Sequence, residues 1–148
     1  MSTIVATKVA LADAIGSIVA LSTVQVSYGD DVARPKKERV FMGDVETHDM
    51  APATMRAGNV RTEENYAVRV IVLVDKKGGH QVTEERALVI LSAIQALLAT
   101  DPKLSTAAVP PSIAFATAGP YTLSTSLIGE GEHRTIIEMD VNVKARNA

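Results

Sequence analysis

Apolar residues recur near the start of the chain with the period of a helix. At about 100° per residue, Ile4, Leu11, Ile15, Ile18 and Val19 fall on one side, and Thr3, Thr7, Asp13 and Ser17 on the other. Thr3 is the expected N-cap. Lys8 projects from the apolar side, where its stem can pack while its ammonium reaches water. The period then changes to two. Val24, Val26 and Tyr28 alternate with Thr23, Gln25 and Ser27, and Gly29-Asp30 marks a turn. A second alternating run over residues 38–46 puts Phe41 and Val45 on one face, with Gly43 between them, and Val40 and Met42 on the other. Between the two runs lies a basic loop, Arg34-Pro35-Lys36-Lys37, expected to be of hairpin type.

Residues 47–61 contain Pro52 and Gly58 and have no sustained periodicity, which predicts a long irregular loop of the kind that contacts a partner. Residues 67–75 are nearly all Val, Ile and Leu, broken by Arg69, and predict a central strand covered on much of both faces. After Lys76-Lys77-Gly78-Gly79, Thr83 is expected to cap a second helix with Glu84 and Glu85 in its first turn, ended by Thr100-Asp101-Pro102. Its apolar stripe is Ala87, Leu88, Ile90, Leu91, Ile94, Leu97 and Leu98. Past Pro110-Pro111, residues 113–116 form a short strand candidate, and Tyr121, Leu123, Thr125 and Leu127 begin a longer one. Gly129-Glu130-Gly131-Glu132 supplies a turn into the last strand. There Ile137, Met139, Val141, Val143 and Ala145 face one way, and Glu138, Asp140, Asn142, Lys144 and Arg146 the other. The expected fold is α+β: one domain over residues 1–148, with a mostly antiparallel sheet of about five to six strands packed by two helices.

Composition narrows the function classes. The 148 residues carry 15 Lys and Arg against 17 Asp and Glu, a net charge of −2, so no global field draws the chain to a polyanion or an anionic membrane. With no cysteine there are no disulfides, thiolate nucleophiles or thiolate metal sites, which suits a reducing compartment and assembly in the cytoplasm. Residues 1–21 are rich in Ala, Val, Ile and Leu, but Lys8 and Asp13 interrupt them short of the ~20 apolar residues a bilayer span requires, and no basic segment precedes them. Aromatic content of 3%, without tryptophan, leaves few stacking platforms for bases or sugars.

The search for chemistry returns little. His48, His80 and His133 fall in expected loops or turns, and none has a second histidine at metal-ligand spacing. No serine stands in a nucleophile elbow, and Gly78-Gly79 lacks the remaining residues of a phosphate loop. Glu63-Glu64 and Glu84-Glu85 are adjacent pairs, read as solvated or helix-end charges rather than groups converging from separate elements. No catalytic, cofactor or metal position is expected, and the chain is not expected to be an enzyme. Arg34, Lys36, Lys37 and Arg39 cluster around Pro35 and Glu38 as either a solvated loop or a protein or DNA contact. Arg56 and Arg61 are the further basic candidates for an interface or DNA-facing loop.

The order helix, two strands, long loop, central strand, helix and terminal hairpin resembles the tail terminator proteins of long-tailed bacteriophages, especially those infecting actinobacteria. The likeness is one of pattern and covers nearly the whole chain. It is carried by residues 9–21 followed by Val24-Gln25-Val26, by Glu63-Glu64-Asn65-Tyr66 leading into residues 68–74, by the helix over 84–98, and by the closing strand over 137–146. The resemblance implies a structural virion protein of the tail or neck. Six copies would form a ring that caps the finished tail tube and joins it to the head-completion or stopper protein. Its partners would be itself, the tail tube protein and that head-completion protein, with at most transient DNA contact, no cofactor and no membrane. A head-to-tail connector or stopper protein is an alternative. A small-molecule-binding or enzymatic α+β domain is another, and it would require a polar pocket.

Overall fold

The run of Val, Ile and Leu over residues 67–75 lies where such a run must, in the middle of a sheet. The computed structural model describes residues 2–56 and 59–147, with side chains described over 2–47 and 64–145. Along the chain come α1 (Ile4–Gly16), a 3-10 turn (Val19–Leu21), β1 (Gln25–Ser27), β2 (Glu38–Arg56), β3 (Asn59–Lys77), α2 (His80–Thr100), β4 (Ile113–Gly129) and β5 (Glu132–Asn147). The five strands form one sheet in the order β1-β2-β3-β5-β4. β1 is parallel to β2, and every other neighbouring pair is antiparallel. The fold is α+β, with five strands because residues 113–116 and 121–127 belong to one strand, bent by a register shift between Ala118 and Tyr121.

Both helices lie on one side of the sheet. α2 packs across β3, β4 and β5, and α1 lies over β1 and β2. Between the layers sit Val68, Val70, Val72 and Val74 of β3, Ile137, Met139, Val141 and Val143 of β5, and Val40 and Met42 of β2. Ala87, Ile90, Leu91, Ile94 and Leu98 meet them from α2, and Ala10, Leu11, Ala14 and Ile15 from α1. Arg86 ties α2 to the start of β2 through a two-pronged bond to Glu38, at 2.7 and 3.1 Å. The alternation read for the last strand holds residue by residue, with Ile137, Met139, Val141, Val143 and Ala145 all buried.

Several expectations are corrected. Residues 47–56 and 59–61 continue as paired strands rather than an irregular loop, with Thr47 opposite Tyr66, Thr54 opposite Arg61 and Arg56 opposite Asn59. Register shifts between Met42 and Val45, Thr47 and Asp49, and Pro52 and Thr54 explain why no period was visible, since each extra residue reverses which face the next side chains take. The first shift also brings Val45 to the face of Met42, opposite Val68, rather than to that of Phe41. Because β1 and β2 are parallel, residues 28–37 form a crossover and not a hairpin loop.

The helices also start and end differently from the pattern. α1 stops at Gly16, Ile18 is extended, and Val19 in the following turn is 88% exposed. Thr7 is buried within the helix face, and Thr3 makes no side-chain capping bond. α2 begins at His80 with Gly79 in place of Thr83 as its cap, four residues early, because Gly78 and Gly79 adopt φ of +118° and +96°, which let the chain leave β3 and turn at once into the helix. Thr83 therefore lies inside the helix, its hydroxyl donating to the Gly79 carbonyl at 3.0 Å. Glu84, beyond the first turn, accepts from Thr125 of β4 at 2.7 Å.

Candidate functional site

The side of the sheet away from the helices has no second layer of secondary structure among the described residues. Its middle is a lattice of charges supplied by alternate positions of adjacent strands. Arg134 of β5 grips Asp75 of β3 with bonds of 2.7 and 2.9 Å, and these push its guanidinium above its already high ordinary value. Arg69 and Glu138 approach to 3.8 Å with side chains 42% and 43% exposed, the setting of a weak surface pair. Arg39 bonds Asp30 of the crossover at 2.8 Å and lies over the Phe41 ring, so the crossover folds onto this side near the start of β2. A shallow depression of about 150 Å³ on this side is lined by Arg69, Pro120, Tyr121, Thr122, Glu138 and Asp140.

The basic candidates do not converge. Arg34 and Lys36 are exposed, their backbone held by the Gln25 side chain, which donates to the Arg34 carbonyl and accepts from the Lys36 N–H. Lys37 pairs with Glu132 at 3.2 Å, and Arg39 with Asp30. The side chains of Arg56 and Arg61 lie outside the described set, but their backbone is near the far end of β2 and β3. β2 runs all the way from Arg39 to Arg56, on the order of 50 Å at about 3.3 Å per residue, so the six residues make no single patch within one subunit.

A buried polar cluster appears where the sequence suggested solvated groups. Glu64 and Tyr66 are each 1% exposed, under the amino end of α1. The Thr3 N–H and hydroxyl donate to Glu64 Oε1 at 3.1 and 3.0 Å, so a carboxylate from β3 caps the helix and meets the positive end of its dipole. The Tyr66 hydroxyl lies 2.9 Å from Thr3 Oγ1 and donates to Thr7 Oγ1 at 2.7 Å. Burial pushes the Tyr66 phenol up, partly offset by the bonds to Thr3 and Thr7. This cluster fixes α1 to the sheet. Continuing the buried parity of β3 backwards from Val68 through Tyr66 to Glu64 was the signal that could have found it.

Histidines absent from each other's sequence neighbourhood also meet. The rings of His80, at the start of α2, and His133, in β5, stand edge to face with centroids 4.7 Å apart. No group of three metal-capable side chains exists among the described residues, so the pair lacks the ligands that a zinc centre needs. His48 falls in β2 rather than a loop, its side chain outside the described set.

The remaining feature is the state of the sheet edges. β4 is an edge strand paired only to β5. No Asp, Glu, Lys or Arg stands between Lys103 and Glu130, in a chain where 22% of residues are charged. Phe115, Tyr121, Leu127 and Ile128 are exposed along it, Leu127 to 65%. At the other side of the sheet β1 pairs with β2 from Arg39 to Phe41, the Met42 N–H bonds the Tyr28 carbonyl, and the outer edge of β2 beyond that has no strand partner among the described residues. No helix among the described residues is long and apolar enough to cross a membrane. No protein-family model matches the sequence, and no match to a curated protein was found.

Proposed function

We propose that this chain is a structural subunit of a bacteriophage tail, a ring-forming protein that caps the tail tube and joins it to the head-completion protein. It acts through contacts with copies of itself and with those two partners, without catalysis. The observation that carries the reading is the state of the sheet: one face without a second layer of secondary structure among the described residues, and a β2 whose outer side no strand accompanies there beyond Met42. Isolated domains blunt such edges with charge or closure, whereas subunits of a closed assembly leave them for neighbours. The sequence pattern described above points to the same class of protein.

The test is cryo-electron microscopy of the purified chain mixed with tail tubes. A single closed ring seated on one end of each tube is the expected image. Rings that bind portal or head-completion assemblies and ignore tubes would move the protein to the stopper class, and a soluble monomer indifferent to tubes would end the proposal.

A further inference from the structure

The first run of β4 is closed by its own chain, because the Ala116 N–H turns away from β5 and bonds the Pro102 carbonyl. The run beyond the bulge at Gly119-Pro120 is different. Pairs in an antiparallel ladder alternate, so residues in step with Ala116 share its outward direction. Across β5, Val143 opposite Ala116 is in step with Met139, Ile137, Thr135 and His133, whose partners are Tyr121, Leu123, Thr125 and Leu127. The N–H and carbonyl groups of these four residues therefore point away from β5, and none makes a further backbone hydrogen bond among the described residues. Lysines, inward charges or a covering loop usually deter strand addition at such an edge. This run carries no charge, and Tyr121, Thr122, Ser124, Ser126 and Leu127 are exposed along it.

The opposite edge of the same sheet is its counterpart. β1 has no strand on its outer side among the described residues, and residues 23–29 around it are also uncharged. A cleft of about 440 Å³ lies beside it, lined by Ala12, Asp13 and Gly16 of α1 and by Val26, Ser27 and Tyr28. Asp13 is already engaged, accepting from the Ala108 N–H. Following the registers across the sheet, Leu123 is opposite Ile137, Ile137 opposite Val72, Val72 opposite Val40, and Val40 opposite Val26. The three middle members of this row are fully buried in the core, whereas Leu123 and Val26, at its two ends, are only half-buried. By the same route Tyr121 stands at the height of Met42, whose N–H bonds the Tyr28 carbonyl, and both tyrosines are exposed. Each edge thus presents, at one height, an unfinished end of the same apolar row and an exposed tyrosine. β1, β2 and β5 run one way and β3 and β4 the other, so β4 of one copy beside β1 of the next is antiparallel.

We infer that residues 121–127 of β4 pair, antiparallel, with β1 of a second copy of this chain, setting Leu123 opposite Val26 of that copy. The head-to-tail choice rests on the ring proposed above, since a two-fold contact between two β4 edges would close a dimer and leave β1 bare. The junction adds backbone hydrogen bonds, completes the apolar row at both ends and brings Tyr121 beside Tyr28, with no charged side chain on either edge. Because the two edges share one height, successive copies follow one another without displacement along the strands, which is the condition for a closed ring rather than an open helix.

Because the protein has no cysteine, disulfide trapping reads this contact cleanly. Thr122→Cys is combined with Ser27→Cys, positions that the register brings face to face on the side away from the helices. Within one chain they are four strand spacings apart, roughly 19 Å, too far for a disulfide, so any bond is between copies. The expected result is a ladder of covalent oligomers up to the ring's copy number from the double variant, and none from either single variant. Ser124→Lys, at an exposed position, should weaken association about tenfold with an unchanged circular dichroism spectrum. Dimers from Ser124→Cys alone, at the middle of the open run, would overturn the inference in favour of a two-fold contact. Double-variant rings without a ladder, or rings unaffected by Ser124→Lys, would overturn it while leaving the ring reading intact. A wild-type protein that forms no ring would overturn both.

Discussion

The two faces of the same strands follow different rules. On the helix side, alternate residues of β3 and β5 are Val68, Val70, Val72, Val74, Ile137, Met139 and Val141, all fully buried and without a polar atom in their side chains. One residue along each strand, on the other side, stand Arg69 paired with Glu138 and Arg134 paired with Asp75, with Asp140 beside them, all partly wet. The larger apolar contact is therefore on the helix side, while the opposite face carries no second layer of secondary structure among the described residues. The division is the one expected of a module completed by neighbours, because charges already paired within the subunit resist random collapse without preventing a specific partner.

The largest effect should come from the sealed side. Leu91→Ala, which opens a cavity under α2, should cost about 2–5 kcal/mol in chemical denaturation, whereas Leu88→Ala on the exposed flank of the same helix should cost well under about 1 kcal/mol. Equal losses would erase the contrast between the flanks. Next comes the cap under α1. Glu64→Ala strands the Thr3 N–H and a buried hydroxyl network, for a loss of about 1–3 kcal/mol, while Glu138→Ala on the open face should change stability by less than about 1 kcal/mol.

A smaller, pH-dependent term lies at the end of α2. Asp101 accepts hydrogen bonds from the hydroxyls and backbone N–H groups of Ser105 and Thr106, which hold its carboxyl down from 3.8 to about 2, the Ser105 hydroxyl contributing most. A value depressed by folding means the loop's stabilisation is complete above the ordinary carboxylate value and is lost as pH falls through about 2. Amide shifts of Ser105 and Thr106 followed from pH 5 downward should report that midpoint, and a transition near the ordinary value would contradict the bonding.

The smallest effect concerns DNA. Two of the four clustered cations are already paired, Lys37 with Glu132 and Arg39 with Asp30, leaving Arg34 and Lys36 as the ones with exposed heads and no ion pair among the described residues. One subunit then neutralises few phosphates, and binding to short duplex DNA should be on the order of 10⁻⁴ M or weaker near physiological salt. Fluorescence anisotropy with wild type and with Lys36 and Lys37 charge-reversed measures it. Micromolar binding that vanishes on reversal would make this loop a nucleic-acid contact.

What could be read from the sequence was local and regular. The last strand alternates without a break, so its buried set of Ile137 to Ala145 was legible, as was most of the stripe of α2. Long β2 was not, because three register shifts reverse its parity and Pro52 mimics a loop. Thr7, Glu64 and Tyr66 were missed because each is polar, and their burial depends on partners some sixty residues away. The parallel placement of β1 and the meeting of His80 with His133 are likewise products of topology, which no local period encodes. The cluster of Arg34, Lys36, Lys37 and Arg39 was legible, but the pairing of Lys37 with Glu132 and of Arg39 with Asp30 was not, because no local pattern encodes either contact.

Native mass spectrometry of the purified chain over a range of concentrations distinguishes a ring subunit from a free-standing domain. A subunit completed by its neighbours should pass from monomer to one closed stoichiometry, six copies by the resemblance, with little between, because only ring closure satisfies every edge at once. A chain that remains monomeric throughout, or stops at a two-fold dimer, would contradict the account.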